Sequence, residues 1–201
     1  CPHCNNYLLR LQLSTPHMCD FRISSNSTGT CDLGFMMDIS SAIEGTTNFQ
    51  SCLTFVKSVF SAFSSSFASK SVRFGFVTFS TSASVVFGFG QFSSFAEVEG
   101  AVMGVKQASG GCSAGAALST CKSSLFAEGS SGSAGSSSAG AGGAGGASSG
   151  SATGAAGGGG SVSARLLVVL MAGKSTDDVS ASASSLKGMN VSITLFKSFV
   201  I

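Results

Sequence analysis

The sequence predicts an α/β fold, a doubly wound and mainly parallel sheet with one antiparallel edge strand and helices on both faces. Residues 32–37 and 166–171 are short, continuously apolar runs, which is typical of central strands buried on both faces. Strand and helix patterns alternate along the chain in the order β-α-β-β-α-α-β-α-β, as in a doubly wound sheet. The link at 80–82 is too short for a crossover, so it predicts the antiparallel pair.

The first helix is predicted from a stripe of apolar residues, many of them phenylalanine, that recur at steps of three and four over 49–67. We interpret this stripe as core. Thr46, Thr47 or Asn48 can cap the N-terminus of the helix. The other elements predicted before residue 129 are strands at 72–79 and 83–87 and helices at 95–105 and 114–126.

The second central strand is followed by a predicted helix with Ser175 or Thr176 as its cap. Asp177 and Asp178 fall in its first turn, where negative charge is favourable. Residues 191–196 alternate apolar and polar side chains, which indicates a half-buried strand. We expect this closing strand to be a sheet edge that another chain covers, because uncovered edges favour strand pairing.

Two segments depart from the alternating pattern. Residues 129–161 contain only Gly, Ser, Ala and one Thr, so they bury too little apolar surface to offset the backbone entropy of folding. We interpret them as a flexible insertion, with a silk-like packing segment as the alternative. Residues 1–30 form a separate lead-in that carries three cysteines, and 31–201 form the main domain.

Composition excludes several classes of protein. Charged residues are 10% of the chain, and 11 Lys and Arg against 9 Asp and Glu give a net charge of +2, which excludes nucleic-acid binding through a basic surface. No apolar run is long enough to span a membrane. The two histidines, His3 and His17, lie in the lead-in, and the sequence has no nucleophile–base set or phosphate loop, so we expect neither catalysis nor a cofactor.

Seven cysteines in a chain of such low charge predict an oxidising compartment and disulfides. The candidates are Cys1, Cys4, Cys19, Cys31, Cys52, Cys112 and Cys121. We do not expect Cys52 to pair with Cys121, because right-handed crossovers place their helices on opposite faces of the sheet. A zinc site or a redox pair at Cys1-Pro2-His3-Cys4, with His17 and Cys19, is the alternative for the lead-in.

Two N-glycosylation acceptors, Asn26 and Asn190, indicate the same compartment. Asn26 lies in an irregular polar stretch, and Asn190 opens the closing strand after a turn. We therefore expect a secreted, extracellular protein that carries more sugar at Asn26 than at Asn190, because Thr at the third position makes the better acceptor.

Five segments, taken in order, resemble successive blocks of a von Willebrand factor A-type domain. They are CDLGFMMDISS at 31–41, the helix beginning Asn48-Phe49, VRFGFVTFS at 72–80, GGCSAGAAL at 110–118 and LLVVLMAGKSTDDV at 166–179. The resemblance covers 31 to about 196 apart from the insertion, and it implies the same α/β fold. It also implies a C-terminally incomplete domain, because the sixth strand and closing helix of the family do not follow. In related domains the partner of Cys31 lies in that region.

The resemblance implies a metal-ion-dependent adhesion site, built from an Asp-x-Ser-x-Ser run, a Thr and a further Asp. Asp38 and Ser40 match the first two positions, whereas Ala42, Cys112 and Ala172 stand at the other three. Mg²⁺ requires hard oxygen ligands and holds its waters tightly, so we expect a remnant site without the ion. A live Mg²⁺ site is the alternative.

The function that the resemblance implies is that of an extracellular structural or adhesion module. Such a module acts through protein–protein contacts in a matrix, fibre or filament, with copies of itself or matrix proteins as partners. One alternative is a metal-dependent adhesion receptor that binds a partner carboxylate through an ion near Asp38. The other is a space-filling coat glycoprotein.

Overall fold

The computed structural model describes residues 8–10, 20–22, 30–127 and 162–197. Its strands are β1 (Leu8–Arg10), β2 (Asp20–Arg22), β3 (Thr30–Asp38), β4 (Val72–Phe79), β5 (Ala83–Phe87), β6 (Val162–Met171) and β7 (Val191–Lys197). Its helices are α1 (Thr46–Ala62), α2 (Ser64–Ala68), α3 (Phe95–Met103), α4 (Ala114–Thr120), which runs into a π-helical turn at Cys121–Leu125, and α5 (Ser180–Gly188). Apart from the short α2, the order from β3 to β7 is the one predicted.

A five-stranded sheet in the order β5-β4-β3-β6-β7 forms the centre of the domain. β3 pairs in parallel with β4 and with β6, so that Met37 lies opposite Thr78 on one side and Leu170 on the other. β5 pairs antiparallel with β4 at one edge, and β7 pairs in parallel with β6 at the other. These pairings confirm the predicted central strands and the antiparallel edge strand, and within the described residues the closing strand lies at an edge.

Helices cover both faces of the sheet, as predicted. On one face α1, α2 and α3 enclose an aromatic core, in which the ring centroid of Phe60 lies 4.5 Å from that of Phe74 and 5.0 Å from that of Phe35. On the other face α4, the π-helical turn and α5 pack around Met36 and Leu186. β3 is buried on both faces because its alternate side chains enter different cores.

The start of α1 differs from the prediction. The helix begins at Thr46, and Gly45 occupies the capping position with a φ of 81°, a backbone conformation that glycine adopts without strain. Thr46, Thr47 and Asn48 therefore lie inside the helix rather than at its cap, and no side chain caps it.

The helix predicted at 114–126 widens into the π-helical turn after Thr120. The turn carries Leu125 over two glycines that lie side by side in β3 and β4. A Cβ on Gly34 would lie 3.0 Å from Leu125 Cδ2, and one on Gly75 would lie 2.5 Å from Leu125 Cδ1. Because Gly34 and Gly75 have no side chains, there is room between the strands and the π-helical turn for Leu125.

The lead-in contains a small hairpin that the sequence did not predict, since β1 and β2 pair antiparallel as a sheet of their own. The predicted sites at Cys1, Cys4, Cys19 and Asn26 lie outside the described residues, as do both histidines and the insertion at 129–161. Across the described ranges, no helix combines the length and apolar character needed to cross a membrane.

Candidate functional site

Three loops meet at the carboxyl ends of β3 and β6, and they bring the five positions of the implied metal site together. Asp38 ends β3 and is 1% exposed, and Ser40 follows it with no exposed surface. The backbone N–H of Ala42 donates to Ser40 Oγ (3.2 Å), and that of Ala172, just after β6, donates to Asp38 Oδ2 (3.3 Å). Cys112, in the loop before α4, lies close enough to Asp38 for the carboxylate to contribute to the raised pKa of its thiol.

Each carboxylate oxygen of Asp38 accepts one backbone N–H group. The N–H of Ser40 donates to Oδ1 at 2.9 Å, and that of Ala172 donates to Oδ2. The two donors come from the loop after β3 and the loop after β6.

Hydrogen bonds join the loop between α3 and α4 to the loop after β3. The N–H of Ala108 donates to Ile39 O (2.8 Å), and the side-chain amide of Gln107 donates to Ser40 O (3.2 Å) and Ile43 O (2.6 Å). No sequence pattern pointed to Gln107, because its partners lie 64 and 67 residues away along the chain.

The loop after β6 caps α4. The two carboxylate oxygens of Asp177 accept the backbone N–H groups of Gly115 (2.9 Å) and Ala116 (2.8 Å), and Ser175 Oγ accepts that of Ala114 (3.1 Å). Ser175 Oγ also donates to Asp177 at 2.6 Å. A Cβ on Gly115 would overlap the carbonyl of Asp178, so only glycine permits this close approach.

The predicted capping role of Ser175 or Thr176 at the following helix is therefore wrong. α5 begins at Ser180, several residues later, because Ser175 and Asp177 bind the open N–H groups of α4 instead. The prediction that Asp177 and Asp178 fall in the first turn of this helix is also wrong, because α5 begins after both of them. Asp178 lies just before α5, where its carboxylate accepts the N–H and hydroxyl of Ser180, each at 2.9 Å.

All four described cysteines are buried, and no disulfide joins any two of them. Burial, together with the Asp38 carboxylate, raises the pKa of the Cys112 thiol to about 12, and burial raises that of Cys121 to about 12. Burial and the nearby Asp32 raise the pKa of Cys31 to about 11. Cys52 and Cys121 lie in the cores on opposite faces, as predicted. Disulfides that involve the lead-in cysteines stay a prediction.

The predicted acceptor Asn190 lies far from these loops, in the turn between α5 and β7. It is exposed, has a φ of 57°, and its backbone N–H donates to Lys187 O at 3.0 Å. Its modification stays a prediction.

The residues around Asp38 do not fit Mg²⁺. They supply one carboxylate, one hydroxyl and one thiol, whereas Mg²⁺ requires near-octahedral coordination by hard oxygens. Both carboxylate oxygens already accept backbone N–H groups. No cluster of three or more His, Cys, Asp and Glu side chains suited to a metal occurs among the residues that the structure describes.

Comparison with known families and structures gives one family and one fold. The profile of the von Willebrand factor type A domain matches residues 32–137, just over half of the chain. Among solved structures, proximal thread matrix protein 1 from the mussel byssus is similar, with 21% identity and a TM-score of 0.61 over 83% of this chain and 35% of that chain. A structure of that protein with a zinc-occupied MIDAS motif gives the same values.

An aerotolerance-related membrane protein from Bacteroides fragilis, carrying multiple mutations to serine, has 15% identity and a TM-score of 0.51 over 83% of this chain and 67% of that chain. No curated protein sequence matches. At these identities the structural similarities show the fold alone, and the chain spans about a third of the length of the byssus protein.

Proposed function

Because this chain belongs to the von Willebrand factor type A domain family, whose domains mediate contacts between proteins, we propose that it is a secreted, non-catalytic assembly module. Its partners are copies of itself or other matrix proteins. Support for a matrix role comes from its low content of charged residues and from its structural likeness to a matrix protein of the mussel byssus.

The observation that carries this proposal is the edge strand β7. In the described part of the chain it pairs with β6 on one side only. It has no proline, its single charge is Lys197 at the very end, and Leu195 is 55% exposed. Edges of soluble monomers are normally protected by prolines, bulges or inward charges. Among the described residues β7 lacks them, so a strand from outside these residues, supplied by another chain or by a further part of this one, can pair with it.

Support for a non-catalytic role comes from the described cysteines. The thiols of Cys31, Cys112 and Cys121 are buried with raised pKa values. Thiols of this kind stay protonated and are inert as nucleophiles.

A metal-dependent receptor is the second candidate. It is favoured by Asp38 and Ser40, which keep their place at the loop face, and by the zinc-occupied MIDAS motif of the similar byssus structure. In that case a chelator would abolish partner binding. The assembly module binds its partner equally well with and without a chelator.

Self-association of two matched variants tests the assembly module. Leu195→Lys places a charge on β7, and Val85→Lys places the same charge on the opposite edge, β5, where Val85 is 37% exposed. Light scattering over a concentration series should show association of the natural chain and of Val85→Lys, with or without EDTA, and little association of Leu195→Lys. A natural chain that stays monomeric throughout would contradict self-assembly through β7 and favour the space-filling coat protein.

A further inference from the structure

We infer that Asp38 is a positioning residue that joins the loop after β3 to the loop after β6 through hydrogen bonds to protein groups, in the place of a bound cation. This inference does not depend on the proposed assembly, since it concerns how the loops are held and not what they bind. It rests on the donors that reach the carboxylate, on the space around it and on its burial.

The donors reach the carboxylate from two separate loops. Ser40 donates its N–H from the loop after β3, and Ala172 donates its N–H from the loop after β6. Each oxygen accepts one N–H group, so Asp38 joins these two loops by hydrogen bonds. The thiol of Cys112, in the loop before α4, lies near enough for the carboxylate to contribute to its raised pKa.

Small residues line the place where the loops meet beside Asp38. A Cβ placed on Gly173 would lie 3.1 Å from Ala42 Cβ and 3.8 Å from Cys112 Cβ, so the three loops approach one another closely here. Mg²⁺ needs six oxygens at roughly 2.0–2.1 Å, usually including several waters. Ala42, Cys112 and Gly173 supply no hard oxygen from their side chains.

Burial makes the hydrogen bonds at Asp38 necessary. At 1% exposure Asp38 is shielded from bulk solvent, so the loss of a donor would leave a buried charge with one hydrogen bond fewer. Removal of the acceptor would likewise leave the N–H groups of Ser40 and Ala172 without their partner. The loops and the carboxylate therefore stabilise each other.

Amide hydrogen exchange of the natural protein tests this directly. The amides of Ser40 and Ala172 should be protected, and their exchange rates should change less than about twofold when EDTA, Mg²⁺ or Zn²⁺ is added. A rise in protection of about tenfold or more on addition of either metal, or its loss in EDTA, would overturn the inference, because a cation would then hold the loops. A tenfold change corresponds to about 1.4 kcal/mol in the opening equilibrium.

The variant Asp38→Asn tests the role of the Asp38 carboxylate as a hydrogen-bond acceptor. Glu44→Gln is the matched control, because Glu44 is an exposed carboxylate of the same loop. The amide keeps one acceptor oxygen and turns an NH₂ group toward a backbone N–H. We expect the Tm to fall by about 5 °C or more, with about tenfold faster exchange at Ser40 and Ala172 and no change in Glu44→Gln. An unchanged or raised Tm in Asp38→Asn would refute the role. If this variant does not fold, the exchange measurement on the natural protein still shows whether protein groups or a cation hold the loops.

Discussion

Ala42, Cys112 and Ala172 are the three residues that separate this chain from a site of oxygen ligands. The combined variant Ala42→Ser, Cys112→Thr, Ala172→Asp would add two hydroxyls and a carboxylate beside Asp38 and Ser40, which together form the hard-oxygen set that Mg²⁺ requires. We expect calorimetry to show Mg²⁺ binding in this variant and none in the natural chain. At a hundredfold excess over Kd, the ion would raise its free energy of unfolding by about 2.7 kcal/mol.

The double variant Ala42→Ser, Cys112→Thr is the control for the expected gain of Mg²⁺ binding. It lacks the second carboxylate and should bind Mg²⁺ far more weakly. If the triple variant binds no ion, the loops are placed differently from those of metal-binding members of the family.

Asp177 stabilises the start of α4, and its effect depends on pH. Burial acts to raise its pKa, but the hydroxyl of Ser175 and the N–H groups of Gly115 and Ala116 outweigh burial and hold the pKa below its usual value. A lowered pKa stabilises the fold above the unfolded-state pKa of about 3.9, and this contribution disappears as the pH falls through the folded-state value.

Asp177→Ala should therefore lower the free energy of unfolding by about 1 kcal/mol at pH 7, as expected for the loss of a helix cap. The difference from the natural chain should shrink below about pH 4. Urea unfolding at pH 7 and pH 3 measures both values. If the two chains differ equally in free energy of unfolding at both pH values, the negative charge of Asp177 contributes nothing to stability.

Among the elements, the π-helical turn depends on a fit between Leu125 and Gly75. A Cβ at this glycine would lie 2.5 Å from Leu125 Cδ1, so Gly75→Ala forces the turn or the strand to move. Overpacking of this kind costs about 1–3 kcal/mol. We expect chemical denaturation to show a loss in that range for Gly75→Ala.

Two further variants separate overpacking from the general effect of replacing a glycine. Gly100, inside α3, has open space around it, so Gly100→Ala should stabilise by about 1 kcal/mol through helix propensity. In a Leu125→Ala background, Gly75→Ala should cost less than about 0.5 kcal/mol. A full cost in that background would show that Leu125 is not the obstacle.

The elements that could be predicted from the sequence are those that a local pattern specifies. The runs at 32–37 and 166–171 are apolar at successive positions because both faces of β3 and β6 are covered. The cap of α5 was mispredicted because the partners of Asp177 are distant along the chain: it binds N–H groups 61 and 62 residues away. The π-helical turn likewise follows from two glycines in other strands.

The candidate site likewise has features that the sequence predicted and features that depend on long-range packing. Asp38, Ser40, Ala42, Cys112 and Ala172 were placed together by resemblance to a family, and the structure brings them together. Two features could not be predicted because they depend on how three loops pack. They are the hydrogen bonds of the Gln107 side chain to Ser40 and Ile43, and the N–H groups that donate to both Asp38 oxygens.

At the scale of the whole molecule, the proposed compartment leads to a prediction at Asn190. This residue is exposed in the turn before β7, and its φ of 57° is one that Asn tolerates better than most residues. Ser192, the third residue of the acceptor triplet, is exposed in β7. A chain that passes through the secretory pathway should therefore carry an N-linked glycan here, at the opposite end of β7 from Leu195.

Mass spectrometry of the chain secreted from a eukaryotic host measures this modification. Ser192→Ala removes the acceptor triplet and leaves the turn at Asn190 intact, so it should abolish the glycan at that site. Ser192→Thr keeps the triplet and should preserve or raise occupancy. Because the sugar would project from the turn and not from the exposed part of β7 near Leu195, glycosylated and unglycosylated chains should associate equally. An unmodified Asn190 in both the natural chain and Ser192→Thr would remove this support for an extracellular module.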